Sequence, residues 1–484
     1  MAPDERRPRG RRPALLLLAL AAVLFLGFAA RTIPAPFGDS HDGRNAGVWA
    51  SGGRSLLERG SIESRLGTRS PENGVYANHP PLLYVETALF EAVGGRSATT
   101  IRAPAWLGSL ATLALLTALL LQRGLRPAAV GAAVVLVAAT PMLLVYGSML
   151  DTPVTSLPFG LAVLLVWERA RIGKRVPWPL ASGLTAVAVL AGWQSLLLAA
   201  LVGGWALVRL LRRSDRRTVD AAFVGGAVVG GLLLVGWLLW AFGGTLGPLL
   251  SQFRRRSGQD SPIRLDVLVG FVRQDTASMF GLAALLGVVG LVVAFADRRT
   301  RGLAAVAISV TLPYALVFRN AMMNHDYWNF WFLVPMAVGL AAAFDRLLRV
   351  RGATPWRDVA VGTVAALFAF LLTVGLATRP DGSEWATLEG RRAGTAALSQ
   401  RLDPGQLSAW YTGAVGKPAA WLGLATGRPA VVVPVADLAA LAAAYPHDLV
   451  LVGRMRCVNG GPRIAYGFEK AVVVVARPPE IDRC

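Results

Sequence analysis

The feature that most constrains this chain is a succession of apolar runs of about 17 to 23 residues, each close to the roughly 20 that a 30 Å hydrocarbon layer demands of a helix. The runs lie at 13–30, 102–122, 127–147, 153–168, 177–193, 195–212, 219–242, 277–297, 302–319, 328–347 and 357–377. They predict an all-α polytopic membrane protein with about eleven transmembrane helices. Composition agrees: 54% of the 484 residues are apolar and only 16% are charged, against roughly 25% in soluble domains. The tightest junction is Trp193-Gln194-Ser195, where two short spans leave almost no turn. One bent helix there would invert the side of every later loop.

A net charge of +20 raises the question of a nucleic-acid partner. The distribution of the charge argues against one. Arg clusters at Arg6 to Arg12, Arg123/Arg126, Arg169 to Arg175, Arg209 to Arg217, Arg298 to Arg301 and Arg346 to Arg357 recur between apolar runs, the positive-inside pattern of cytoplasmic loops. With RRPRGRRP inside, an odd span count places the amino terminus in the cytoplasm and everything from about residue 378 outside. The basic start and first run read as a signal anchor rather than a cleaved peptide, because many spans follow. The preference for Arg over Lys, with abundant Ala and Gly, points to a high-GC bacterium and hence to a bacterial plasma membrane.

Two domains are expected: a transmembrane unit at 1–377, with a structured first outer loop at 31–101, and a soluble extracytoplasmic unit at 378–484. Within the loop, PPLLYVETALFEAVGG is too short and too acidic to span and reads as a helix along the interface. In the tail, AVVVPV at 430–435, a helical stretch to about Ala444, LVLVG at 449–453 and AVVVVAR at 471–477 predict a small α/β domain. No nucleotide-binding glycine fingerprint precedes a helix there. Cys457 and Cys484 both fall in this tail, where oxidising conditions would permit a disulfide; otherwise they are two small thiols.

Ionisable residues at a membrane boundary are costly and default to functional hypotheses. FGDSHDGRNAG supplies Asp39, His41, Asp42 and Asn45 just after the first run, and YGSMLD puts Asp151 at the same outer face. Asp151 precedes Thr152-Pro153, so helix capping is its plainer role. YANHPPLLY places His79 before two prolines that fix the chain's direction. RNAMMNHDYWNFWF brings Arg319, His325, Asp326 and Tyr327 to a late outer junction. Arg254, Arg255, Arg256, Arg264 and Arg273 form a basic outer loop that breaks the positive-inside trend, which suits a phosphate partner.

The order HDGRN, NHPPLLY, SMLDTPV and HDYWNFWFLVP resembles the bacterial glycosyltransferase 39 group of the GT-C superfamily, relatives of the protein O-mannosyltransferases and aminoarabinose transferases, over roughly residues 10 to 350. The resemblance implies a GT-C-like fold and transfer of a sugar from a polyprenyl-phosphate donor, on the outer face, to a hydroxyl of a protein, glycolipid or polysaccharide acceptor. It implies a base in the first outer loop and a second carboxylate after the third span, which fall on Asp42 and Asp151. The family's usual Asp-Glu pair is here Asp42-Gly43, so Asp39 is a rival base. His79, Arg255, Arg319, His325 and Tyr327 are candidates for donor or phosphate binding, and His41 and Asn45 for substrate positioning. A divalent metal ion, with His79 and His325 as ligands, stays open; no ligand spacing requires it.

A lipid phosphate leaves as an anion, so a single displacement needs only a base for the acceptor hydroxyl and inverts the anomeric centre. A secondary transporter or lipid flippase is the alternative; it would be expected to carry charge or broken helices at mid-membrane, and these spans hold few ionisable residues.

Overall fold

The computed structural model describes residues 11–35, 37, 41–70, 74–76, 78–212, 215–260, 263–349 and 355–377, with strands at 408–411, 430–433, 449–452, 466–467 and 472–476. In chain order the helices are α1 (Arg12–Ala29), α2 (His41–Glu63), α3 (Leu82–Gly94), α4 (Ala98–Ile101), α5 (Ala103–Gln122), α6 (Pro127–Ala138), α7 (Pro141–Tyr146), α8 (Thr152–Arg171) and α9 (Trp178–Ala191). They continue with α10 (Trp193–Leu211), α11 (Arg217–Ala241), α12 (Gly247–Ser257), α13 (Leu265–Phe280), α14 (Leu282–Ala296), α15 (Arg301–Val317), α16 (Arg319–Asn324), α17 (Leu333–Arg349) and α18 (Pro355–Ala377). A 3-10 turn, Asp326–Phe332, joins α16 to α17.

Every apolar run of the sequence is helical, and among the described residues six helices are long and apolar enough to cross a membrane, seven if a bent pair counts as one span. The chain is a multi-pass helical membrane protein. Proline punctuates the runs: it stands in the first turn of α5, α6, α7, α8 and α9, where its missing N–H is no loss. The run at 127–147 is thereby divided at Thr140-Pro141 into α6 and α7. At the tight junction α9 and α10 are separate helices joined by extended Gly192, and the Ser195 hydroxyl donates to the carbonyls of Ala188 (2.7 Å) and Gly192 (2.9 Å). The run at 277–297 departs most from expectation: α13 and α14 meet at a 103° bend at Gly281, whose φ of +55° suits glycine.

Close helix contacts rest on small residues. A side chain on Gly339 of α17 would meet the Gly287 carbonyl oxygen of α14 at 2.2 Å, and one on Gly290 would meet the Gly339 carbonyl equally closely. Backbones packed this tightly gain dispersion contacts that lipid chains cannot match.

At one end of the bundle the Arg-rich connectors are clasped by buried acids. Asp345, 1% exposed, accepts from the Arg126 backbone N–H (2.9 Å), Arg299 Nη2 (2.6 Å) and Arg349 Nε (2.9 Å). Arg299 Nη1 reaches the Gly124 carbonyl at 2.9 Å, and fully buried Glu168 holds Arg123 and Arg171. One carboxylate thus ties the α5–α6 connector, the α14–α15 connector and α17. Asp345→Ala leaves two guanidinium groups without it and is expected to cost about 3 kcal/mol, read as a lowered melting temperature in detergent.

The first loop contains α3 on the segment expected at the interface, and also α2, preceding a hairpin of two-residue strands, β1 (Arg69–Ser70) and β2 (Gly74–Val75). Farther on, the five strands β3 (Ser408–Tyr411), β4 (Ala430–Val433), β5 (Leu449–Val452), β6 (Tyr466–Gly467) and β7 (Val472–Ala476) form a sheet ordered β4-β3-β5-β7-β6. β3 runs parallel to β4 and β5, and β7 antiparallel to β5 and β6. The helix expected before Ala444, the boundary at 378 and both cysteines lie outside the described residues.

Candidate active site

At the end of the bundle away from the Asp345 clasp, four segments distant in sequence enclose a polar cavity of about 700 Å³: the first loop, the start of α8, α12 and the stretch from Asn320 to Trp328. The helical period of α2 sets its first wall. His41, Arg44, Asn45, Val48 and Trp49 recur three and four residues apart and line the cavity.

Asp42, at the edge of this face, is not among the lining residues and turns to Arg102. It is 3% exposed and is held by Arg102, itself fully buried, with Nη2 2.7 Å from Oδ2 and Nε 3.4 Å from Oδ1. Arg102 also donates to the carbonyls of Ile33 (3.0 Å) and Ala35 (2.6 Å) and lies 3.9 Å from the Phe37 ring centre. One guanidinium at the start of α5 therefore fixes the exit of α1 and the entry to α2. The candidate base of the sequence is a partner in this clasp and does not line the cavity. Asp39 lies outside the described residues.

Asp151 does line it. It caps α8, accepting from the Thr152 backbone N–H at 2.6 Å, as its position before Thr-Pro predicts. Its other oxygen accepts from Asn45 Nδ2 at 2.7 Å, and the Tyr327 hydroxyl also bonds it. Capping and cavity roles coincide in one side chain. Burial pushes the Asp151 carboxyl up to about 6, against the lowering effects of the Thr152 N–H, Arg256 and the two hydroxyls.

The histidines gather round this carboxylate. His79, 4% exposed, meets the Thr152 hydroxyl through Nδ1 at 3.2 Å and packs edge-on to Trp49 and Trp328. His41 lies edge-on to His325 (5.3 Å between ring centres) and to Tyr327 (5.5 Å). Opposite, amphipathic α12 presents Gln252, Arg255 and Arg256, with the Arg256 guanidinium 4.8 Å from the Trp328 ring centre.

His41, Asn45, His79, Asp151, Arg255, His325 and Tyr327 are thus brought together. Arg319 is not: it lines a separate, mainly apolar cavity of about 490 Å³ on the other side of α16, near the Asn329–Asp275 hydrogen bond (2.6 Å). Sequence reasoning missed Arg44, Trp328 and Trp49, and had Arg256 only as a member of the basic loop. The signal for the first and third was the spacing from His41, legible once the segment is taken as helix. For a metal at His79 and His325, no third ligand is at hand: among the described residues no three His, Cys, Asp or Glu side chains gather as a metal group.

A many-pass helical protein with a polar, cation-walled cavity at one end of its bundle is the class that fold and site define. By sequence, no family model and no curated protein matches the chain. By structure it is similar to ArnT from Cupriavidus metallidurans, at 15% identity and a TM-score of 0.63, over 95% of this chain and 97% of that one. The same protein bound to undecaprenyl phosphate aligns at 14% identity, TM-score 0.63, over 96% and 98%. The oligosaccharyltransferase AglB from Archaeoglobus fulgidus, in complex with an inhibitory peptide and a dolichol-phosphate, aligns at 12% identity and 0.55 over 91% of this chain and 69% of that. The mycobacterial arabinofuranosyltransferase AftD aligns at 17% and 0.54, over 97% and 40%. The chain shares the fold of these membrane proteins.

Proposed function

We propose that the chain is a glycosyltransferase that takes a sugar from a polyprenyl-phosphate-linked donor and passes it to an acceptor hydroxyl, with inversion, on the outer face of a bacterial plasma membrane. The observation that carries this reading is the convergence of Asp151, three histidines and three arginines on one cavity at the loop end of a GT-C fold. Similarity to ArnT bound to undecaprenyl phosphate supports the donor class. Eleven crossings, amino terminus inside, put that cavity outside and the Asp345 clasp inside, in keeping with the positive-inside bias.

In this scheme Arg255 and Arg256, helped by Arg44, hold the lipid phosphate and stabilise the charge it gains as the anomeric C–O bond breaks. Asp151, fixed by Thr152 and Asn45, faces the anomeric carbon and stabilises its developing positive charge. The acceptor oxygen attacks from the opposite side.

Arg255→Ala combined with Arg256→Ala is expected to weaken binding of undecaprenyl phosphate on the order of a hundredfold, measured by titration in detergent, with the melting temperature retained because both residues stand on α12, none of whose residues is buried. Unchanged affinity would remove α12 from phosphate recognition.

A further inference from the structure

Arg319 takes no part in the cavity that holds Asp151, and the cavity it does line has the two ends of a lipid site. The slot of about 490 Å³ lies among α13, α14, α15 and α17, and its lining is apolar except for Thr276 and a polar end made by Asp275, Asn329 and Arg319. We infer that this slot binds a diacyl phospholipid whose head carries both a phosphate and an ammonium, the phosphate on Arg319 and the ammonium on Asp275. The site is separate from the transfer chemistry and stands without it.

Charge sets the head. Among the described residues Arg319 Nε is buried without a hydrogen-bond partner, and Arg319 and Asp275 face the one slot without pairing to each other. Asp275, itself buried, accepts from Asn329 Nδ2 at 2.6 Å, and Asp326 stands close enough to act on it as a like charge. A cation and a carboxylate left apart between apolar walls are costly, and a head bearing both opposite charges satisfies them together. A head with phosphate alone would leave Asp275 unmatched.

Shape sets the chains. Leu291 lies ten residues along α14 from the elbow at Gly281, so the apolar part of the slot runs about 15 Å from its polar end. Val272, Val288, Leu312 and Leu316 on its rim are exposed apolar side chains, which opens the slot sideways to hydrocarbon. A second, shallower groove of about 630 Å³ adjoins it, sharing Val272, Ala284 and Val288 and adding exposed Arg273 at its edge. Two grooves with a common wall suit the two chains of a phospholipid. The single chain of a polyprenyl phosphate needs one, and its phosphate has Arg255 and Arg256 on the other side of α16.

The test titrates the delipidated chain in detergent with phosphatidylethanolamine, phosphatidylglycerol and undecaprenyl phosphate, following bound lipid by native mass spectrometry. The native chain is expected to hold phosphatidylethanolamine about tenfold more tightly than phosphatidylglycerol, because only the first offers Asp275 a cation. Arg319→Gln is expected to weaken both phospholipids about tenfold, and Asp275→Asn to weaken phosphatidylethanolamine alone and erase the preference. Ala315→Phe, which puts a ring into the slot, is expected to exclude both. Equal affinity of the native chain for the two phospholipids would overturn the inference, as would affinities unchanged in Arg319→Gln and Asp275→Asn. Displacement of phosphatidylethanolamine by an equal amount of undecaprenyl phosphate would overturn it too, by giving the slot to that lipid. Should a variant fail to fold, the selectivity of the native chain still decides, and none of these readouts involves sugar transfer.

Discussion

Asp151→Asn is expected to lower transfer on the order of a thousandfold while leaving the protein folded. The substitution keeps shape and an oxygen for the Thr152 N–H, so α8 stays capped. What disappears is the negative charge facing the anomeric carbon. Stability should move the other way at neutral pH. Burial raises the Asp151 carboxyl from 3.8 to about 6, so its folded form prefers the proton. That preference stabilises the fold below about pH 3.8 and is lost as pH rises through about 6, where the buried charge must form. At pH 7.5 the neutral amide relieves that charge, and the variant should melt no lower than the native chain. Native turnover should fall below about pH 6, approaching tenfold per unit, as Asp151 takes up its proton. A variant that melts early and recovers its rate when stabilised would make Asp151 a cap and nothing more.

Arg102→Ala is expected to cost 3 kcal/mol or more, and with it nearly all activity. The side chain is fully buried, and its removal leaves the Asp42 carboxylate without its partner, two carbonyls without a donor and Phe37 without its cation. Because the same clasp fixes the start of α2, His41 and Asn45 lose their placement. Asp42→Asn should be milder, since Arg102 keeps both carbonyls, with a melting temperature that falls together with activity. If Asp42→Asn abolished turnover in a fully stable protein, a direct chemical role for Asp42 would be restored. Thermal unfolding measured beside turnover on the same preparations separates these outcomes.

The apolar helices were legible because bilayer thickness dictates the length of a spanning run, and the tight junction at Trp193 came out as two helices. The bend at Gly281 was not, since the residues on both sides are apolar and a hydropathy pattern carries no angle. Among the candidates, Asp151, His79, His325 and Tyr327, picked from motifs at span junctions, line the cavity. The choice between Asp42 and its neighbours was not available, because HDGRNAGVWASGG reads as loop: four glycines lower its helix propensity. The structure explains two of them by packing. A side chain on Gly52 would meet the Gly67 carbonyl at 2.3 Å, and one on Gly53 the Ala88 nitrogen at 3.0 Å. With the segment helical, His41 lines the cavity and Asp42 turns to Arg102, a division the period does not dictate, since Asp42 stands three residues before Asn45 and seven before Trp49. Which outer arginines meet the cavity was equally hidden: Arg255 and Arg256 do and Arg319 does not, a matter of which side of α16 each occupies.

The most direct measurement is sugar transfer by the purified native chain in lipid, offered a panel of radiolabelled polyprenyl-phosphate monosaccharides and a membrane extract as acceptor. Label moving from the lipid donor to the acceptor, with free polyprenyl phosphate released in equal amount, is the expected result. A folded protein that transfers label from no donor, yet moves a solute or lipid across the bilayer, would contradict it and make the cavity a transport site.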